Sequence, residues 1–373
     1  MMLANSSSNL MKFWTGLAER GNELIIVSIH RKGQFISDKI IHIRIHSRFG
    51  LGLSYIKLLL NIRRIIRKYK PDVLISHFAS THGIIAYFSG FRPHICMVYG
   101  SDIYQTGRLL RFLNQIVFRY SDIIHVTAVA AKRYLLANYD SIPDLGKRLT
   151  QKRWGFVGDT FTTMIREEGT PETGVLQEFN ISPSGKYIFS PRCLRPVYNQ
   201  EIVLKSFRII RERNPDYKLI MLYCEQPNQR YLKALRLLTH RLGIQEDVVW
   251  INRTLKEKEM RDVFSFSEVI LNIPQSDQLG ASLREGIACG CFPIASNLHP
   301  YHAVIEDGVN GLFVTPEPDS VADAFDKFIQ RRSEFTQRAM ENSVKVLEKV
   351  DRNDDFLAFI ECVSEKLIRM KKA

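Results

Sequence analysis

The chain has 373 residues, of which 45% are apolar and 24% charged, with a net charge of +13. That is enough for two ordinary domains with cores of their own, and the charged fraction is that of a globular protein. No run of 18 apolar residues occurs, so no membrane-spanning helix is expected, and the excess of positive charge points to a negatively charged partner: a nucleic acid, a sugar nucleotide or an anionic membrane face.

Met1 to Asn5 reads as a strand stub, shorter than a first strand usually is. The polar turn Ser6-Ser7-Ser8 follows, then a helix from about Asn9 to Arg20 with Leu10, Phe13 and Leu17 on one side. Gly21 ends it, and Glu23 to Ile29 is the next strand. This is a βαβ unit, and it puts Ser6 to Asn9 at the carboxyl end of a strand, where open α/β sheets bind ligands. The start MMLANSSSNLMKFW has neither the basic segment nor the apolar core of a signal peptide.

Tyr55 to Lys70 holds six basic residues and no acid. Leu58, Leu59, Ile62, Ile65, Ile66 and Tyr69 recur at helical spacing, while Lys57, Arg63, Arg64, Arg67, Lys68 and Lys70 fall largely off that stripe. Such a helix packs on a sheet and turns a solvated basic face outward. The same face suits anionic lipid headgroups, at about 1 kcal/mol per basic residue near the surface. Arg108, Arg111 and Arg119, interleaved with Leu109, Leu110, Phe112 and Leu113, make a second stretch of this kind. Between them lie a strand over Val73–His77, a helix from Gly83, and a strand over Ile95–Tyr99 running into Gly100-Ser101-Asp102. Ile123–Val126 and Lys152–Phe156 read as further strands.

Thr160 to Pro183 is polar and carries Gly and Pro, as a connection between domains does. A second alternating series follows: strands over Tyr187–Ser190, Tyr217–Tyr223, Val248–Ile251, Val269–Ile273, Phe292–Ala295 and Gly311–Val314, with helices over Gln200–Asn214, Gln229–Leu242 and Glu257–Phe266. A helical tail runs from Ser320 to about Met370. The expected division is 1–165, a linker at 166–183, a second domain at 184–350 and a terminal helix at 351–373. The six cysteines are widely spaced except Cys289 and Cys291. That pair has no matching His/Cys pair, so reduced thiols in a cytosolic protein are expected rather than zinc.

The most informative segment is SDQLGASLREGIACGCFPIAS, Ser276 to Ser296. Gly280, with the small residues Ala281 and Ser282, permits an unusual turn and a close approach. The amides that open the following helix can receive a diphosphate. Glu285 follows Asp277 by eight positions, slightly over two helical turns, within reach of a ribose attached to that diphosphate. Arg192 and Arg195 follow the first strand of the second half. An arginine pair there suits a diphosphate through its forked hydrogen bonds, or is simply a surface pair.

This segment resembles the donor-binding motif of the family-4 retaining glycosyltransferases of the GT-B fold: an acid, seven residues and Glu (Asp277-x7-Glu285), then Gly286-Ile287-Ala288-Cys289-Gly290 and Pro293-Ile294-Ala295-Ser296. Ile305 to Val314 resembles the family's following Asp-Gly-x-Asn-Gly turn and strand, and Trp154-Gly155 with Asp159 and Phe161 its element before the linker. The resemblance implies an α/β GT-B architecture: two Rossmann-like, doubly wound domains facing a cleft, with a C-terminal helix crossing back to the first. It implies metal-independent transfer of a sugar, with retention, from a nucleotide diphosphate sugar to a hydroxyl of a glycan or lipid-linked saccharide. Asp277, Arg192 and Arg195 take the catalytic roles. Glu285, Leu279, Gly280, Ala281 and Ser282 bind the donor. Tyr99, Gly100, Ser101, Asp102 and His82 lie on the acceptor or sugar side. No cofactor is implied.

Three positions depart from the family pattern. Asp277 stands where Glu is usual, Val197 where a Lys is usual, and Tyr99 where many relatives carry His or Trp. Asp102 suits an acceptor hydroxyl or a helix cap equally. His82 and His77 suit a cleft role or a satisfied structural one. Cell-surface polysaccharide or lipopolysaccharide biosynthesis, at the cytoplasmic side of a membrane held through Lys57, Arg63, Arg64, Arg67 and Lys68, fits this reading. Competing readings are a glycosyltransferase-like subunit that binds a partner without turnover, a sugar-nucleotide epimerase, and a nucleic-acid binder. The last lacks a recognition motif or aromatics interleaved with the basic run.

Overall fold

The computed structural model describes residues 1–4, 11–30, 37–104, 107–152, 174–223, 228–277, 279–348 and 353–372. The chain forms two compact units, Met1–Val157 with Asp351–Ala373, and Gly158–Val350.

The first unit is built on a seven-stranded sheet. Its strands are β1 (Met2–Leu3), β2 (Ile25–Ser28), β3 (Ile41–Arg44), β4 (Leu74–His77), β5 (His94–Val98), β6 (Ile123–Val126) and β7 (Leu149–Gln151), in the spatial order β3-β2-β1-β4-β5-β6-β7. All pairings are parallel. The inner strands are buried on both faces, which is why they read as unbroken apolar runs such as Ile25-Ile26-Val27. On one face Leu58, Ile62, Ile65 and Ile66 of the Leu51–Tyr69 helix pack on Leu3, Val27 and Leu74. On the other, Trp14 and Leu17 of the Met11–Glu19 helix meet Phe356, Leu357, Ile360 and Leu367 of the Asn353–Lys372 helix. The expected return of the C-terminal helix to the first half is therefore present.

Some elements differ from expectation. Strand β3 is an addition to the strands expected from the sequence, although Ile41, Ile43 and Ile45 alternate with His42 and Arg44. It is a half-exposed edge strand, paired on one side only. The helix Val129–Asn138 was also not foreseen. The last strand lies at Leu149–Gln151 rather than at 152–156, and most of that predicted segment lies outside the described residues. So do Ser6 to Asn9, the Trp154 to Phe161 element and the first part of the predicted linker.

The second unit has six parallel strands: β8 (Lys186–Ser190), β9 (Tyr217–Leu222), β10 (Val248–Ile251), β11 (Val269–Asn272), β12 (Phe292–Ser296) and β13 (Leu312–Val314), in the order β10-β9-β8-β11-β12-β13. Val203, Phe207 and Ile210 of the Gln200–Arg213 helix, with Val321, Phe325 and Phe328 of the Pro318–Gln330 helix, fill its core against Leu219, Val269 and Phe292. In each sheet the chain winds outward one way and then jumps back to wind the other way. The switch falls between β1 and β4 in the first unit and between β8 and β11 in the second. Open parallel sheets bind ligands at the carboxyl edge of that switch.

Candidate functional site

The two loops that leave the second switch point, after β8 and after β11, are tied together by hydrogen bonds of their own. Asn199, in the left-handed conformation (φ 55°), ends the turn that follows Arg195. Its amide donates to the Ile273 carbonyl at 2.8 Å and its oxygen accepts from the Gln275 side chain at 3.1 Å. The Gln275 N–H donates to the Val197 carbonyl at 2.8 Å. This clip fixes where Arg192 stands relative to Asp277.

Arg192 Nη1 lies 3.3 Å from Asp277 Oδ2, and both side chains are 13% exposed. The guanidinium stacks on Tyr198 at 4.1 Å and reaches Ser282 Oγ at 3.5 Å. Burial works against its charge. Asp277 and the hydroxyls of Tyr198 and Tyr301 more than offset that, so its pKa stands above the ordinary arginine value. Asp277 Oδ2 also accepts the Gly280 N–H at 3.1 Å and the Tyr301 hydroxyl at 2.8 Å.

The unusual turn expected at Gly280 falls one residue earlier, on Leu279 (φ 77°), where a side chain is tolerated only at a cost in strain. Gly280 itself has ordinary angles (φ −58°, ψ 144°). A Cβ built on it would overlap Arg192 Nη1 and come within 2.8 Å of Asp277 Oδ2. Glycine is here for the space its missing side chain leaves.

The helix that follows is Ala281–Ala288. Leu283, Gly286, Ile287 and Ala288 are its buried side, as the sequence suggests. A Cβ on Gly286 would stand 2.7 Å from Ile270 Cδ1, so that glycine lets the helix lie close on β11. Because the helix begins only at Ala281, the interval from Asp277 to Glu285 is not two helical turns. Glu285 lies one turn beyond Ala281 and Ser282 and shares their face, the face that Arg192 touches at Ser282. The amides of the first helical turn have no carbonyl partners within the helix, whereas that of Gly280 is taken by Asp277.

The two predicted arginines differ in burial, Arg192 being part-buried against Asp277. Arg195 is exposed, at the head of the Pro196–Tyr198 turn, and has no ion-pair partner among the described residues. Tyr301, which sequence reasoning passed over, is fully buried and touches Asp277 directly. Nothing in its local pattern, His299-Pro300-Tyr301-His302, marks it out.

In the first unit the predicted residues gather at the carboxyl ends of β4 and β5. His77 Nδ1 pairs with the Tyr99 hydroxyl at 2.7 Å, and the Tyr99 ring packs 4.5 Å from Phe78. Asp102 is 2% exposed, and its carboxylate accepts the Tyr99 N–H at 2.7 Å and the Ala79 N–H at 2.8 Å. Of its two readings, these bonds describe the capping one. Burial lifts its pKa to about 7 in spite of those amides. His82 is buried in the Phe78–Gly83 turn, with Nδ1 bonded to the His77 carbonyl at 2.9 Å. Burial lowers its pKa to about 4 and that of His77 to about 3, so both rings are neutral near pH 7. Gly100 and Ser101 lie in the short turn between Tyr99 and Asp102.

Two family models match the chain: "Glycosyl transferase 4-like" over residues 1–136 and "Glycosyl transferases group 1" over 175–346. No significant match is found among curated proteins. Among solved structures, Anabaena HepE with UDP and glucose superposes with a TM-score of 0.74 at 14% identity, covering 98% of this chain and 99% of that one. A glycosyltransferase from Rickettsia africae gives 0.71 at 14% identity, covering 98% and 97%. WaaG, a glycosyltransferase involved in lipopolysaccharide biosynthesis, gives 0.72 at 12% identity, covering 98% of each. The two family matches, the two switch-point sheets and the motif at the carboxyl end of β11 agree: the chain belongs to the family-4 glycosyltransferases of the GT-B fold.

Proposed function

We propose that this glycosyltransferase works with retention and without a metal ion, taking a hexosyl group from a nucleotide diphosphate sugar held on the second unit to a hydroxyl of a glycan or lipid-linked saccharide received by the first. The observation that carries this reading is the part-buried Arg192–Asp277 pair at the head of the Ala281–Ala288 helix, at the switch point of its sheet. As the bond from the anomeric carbon to the diphosphate breaks, its electron pair passes to the diphosphate oxygen. Arg192 and the first-turn amides meet that growing charge in a site already ordered for it. The acceptor oxygen bonds to the anomeric carbon on the face the leaving group vacates, and its proton departs with the leaving phosphate. Glu285, on the same helix face, takes the ribose hydroxyls.

The solved structure of HepE with UDP and glucose supports a sugar-nucleotide donor, and the likeness to WaaG, a glycosyltransferase involved in lipopolysaccharide biosynthesis, favours a saccharide acceptor. No described helix is long and apolar enough to cross a membrane. A peripheral position on the cytoplasmic face of a membrane is supported by charge: residues 39–121 contain thirteen Lys and Arg against only Asp72 and Asp102.

The test is release of sugar from a panel of sugar nucleotides, with and without EDTA. Slow hydrolysis of one donor, unchanged by EDTA and abolished in Arg192→Ala, is expected. Failure to bind or hydrolyse any donor, with tight capture of a partner protein, would instead show a subunit without turnover.

A further inference from the structure

Tyr301 lies in the Ser296–Ile305 segment that leaves β12, outside the motif that carries the donor site, and it is completely buried. Among the described residues its hydroxyl has two hydrogen-bond partners. The Asn272 amide at the carboxyl end of β11 donates to it at 2.7 Å, and it reaches Asp277 Oδ2 at 2.8 Å. The directions are fixed by chemistry. An amide nitrogen can only donate, so it occupies a phenolic lone pair. An ionised carboxylate can only accept, so the single phenolic proton points at Asp277. Burial, followed by the nearby Asp277 charge, drives the Tyr301 pKa well above its ordinary value, which keeps that proton in place.

We infer that Tyr301 is a positioning residue for the transfer. It braces the Asp277 carboxylate at the same oxygen that accepts the Gly280 N–H and faces Arg192, so that Asp277 in turn holds Arg192 for the leaving diphosphate. The chain is Asn272, Tyr301, Asp277, Arg192, with each link 3.3 Å or shorter. It begins on a rigid strand end and finishes on the cation. The brace matters here because Asp277 is shorter than glutamate and stands on a loop that turns through the strained Leu279. A short carboxylate on such a loop has few ways to be held in place, and a buried phenol anchored to the sheet supplies one. The inference rests on the donor-site reading above.

The experiment compares Tyr301→Phe with the wild type in two arms. The first needs no donor: crystal structures of both proteins. The Asp277–Arg192 contact, 3.3 Å here, is expected to open beyond about 4 Å when the phenolic hydroxyl is removed. The second uses the sugar nucleotide that the wild type hydrolyses fastest. Tyr301→Phe is expected to lower kcat roughly tenfold or more through misplacement of Arg192, with KM within about threefold. In an Asp277→Asn background the same change is expected to cost less than about twofold, because the link it served is already broken. Retention of the contact in Tyr301→Phe, or an equal kcat penalty in both backgrounds, overturns the inference. A wild type that hydrolyses no donor defeats the donor reading, and the crystallographic arm still decides the role of Tyr301.

Discussion

Nη1 of Arg192 lies in the volume that any side chain at position 280 would fill. The backbone at Gly280 suits alanine, so Gly280→Ala tests space and nothing else. The added methyl is expected to push Arg192 off Asp277 and reduce donor turnover about 100-fold. Thermal stability should change little, because the helix that follows keeps its buried side. Steady-state kinetics beside a melting curve checks this. Full activity in the variant would show that Arg192 need not stand where it does.

Glu285 offers a different signature. On the proposed reading its charge-assisted hydrogen bond to ribose would be made in the ground state and the transition state alike. Its loss in Glu285→Gln should raise the donor KM about tenfold or more, at about 1.5–3 kcal/mol per such bond, and leave kcat nearly unchanged. Arg192→Ala should show the reverse pattern, with most of the loss in kcat.

The first unit carries a pH liability in its buried histidines. Burial lowers the pKa of His77 and His94 to about 3 and of His82 and His125 to about 4. Each contributes stability that is present above pH 6.5 and is lost as pH falls toward those values. Asp102, raised to about 7 by burial, acts in the opposite sense, and its contribution is lost as pH rises toward 7. Between pH 6.5 and 4 four histidines oppose one aspartate, so acid destabilises this unit, by a few kcal/mol per pH unit at the steepest. Hydrogen exchange, corrected for its intrinsic pH dependence, should show β4 and β5 losing protection before β8 and β11 as pH falls from 7 to 5. Loss of protection in both sheets together would contradict this.

The cationic face is also studded with apolar side chains. On the Leu51–Tyr69 helix Ile56 is 53% and Leu60 77% exposed. On Arg108–Tyr120, Leu109 is 70% and Phe112 58% exposed. The Ile84–Ser89 helix packs beside both. At about 1 kcal/mol per basic residue, Arg64→Glu with Arg67→Glu should weaken binding to phosphatidylglycerol vesicles roughly 30-fold or more. Leu60→Asp should weaken it at high salt as well as low. Sedimentation that is equal on neutral and anionic vesicles would remove the membrane from the account.

The sequence shows its architecture best where burial is two-sided. The inner strands β2, β4, β5, β8, β11 and β12 are continuous apolar runs, because parallel strands under helices have no polar face to show. Strand β3, exposed along one edge, left only a weak alternation. The proposed donor motif is legible because its loop and helix residues sit close together in the chain. Its geometry was less so. Counting eight residues placed Glu285 two turns along a helix, but Asp277 to Gly280 is a loop. Arg192 and Arg195 read as a pair, yet Arg192 is part-buried against Asp277 while Arg195 is exposed. Tyr301 was invisible because its bond to Asp277 spans 24 residues, and no local pattern records a contact made across two strand ends.

The most direct test of the central claim is a crystal structure of the protein with UDP. The diphosphate is expected within hydrogen-bonding distance of Arg192 and of the first-turn amides of the Ala281–Ala288 helix, with the ribose hydroxyls on Glu285. A nucleotide bound away from the carboxyl ends of β8 and β11, touching neither Arg192 nor Glu285, would contradict it.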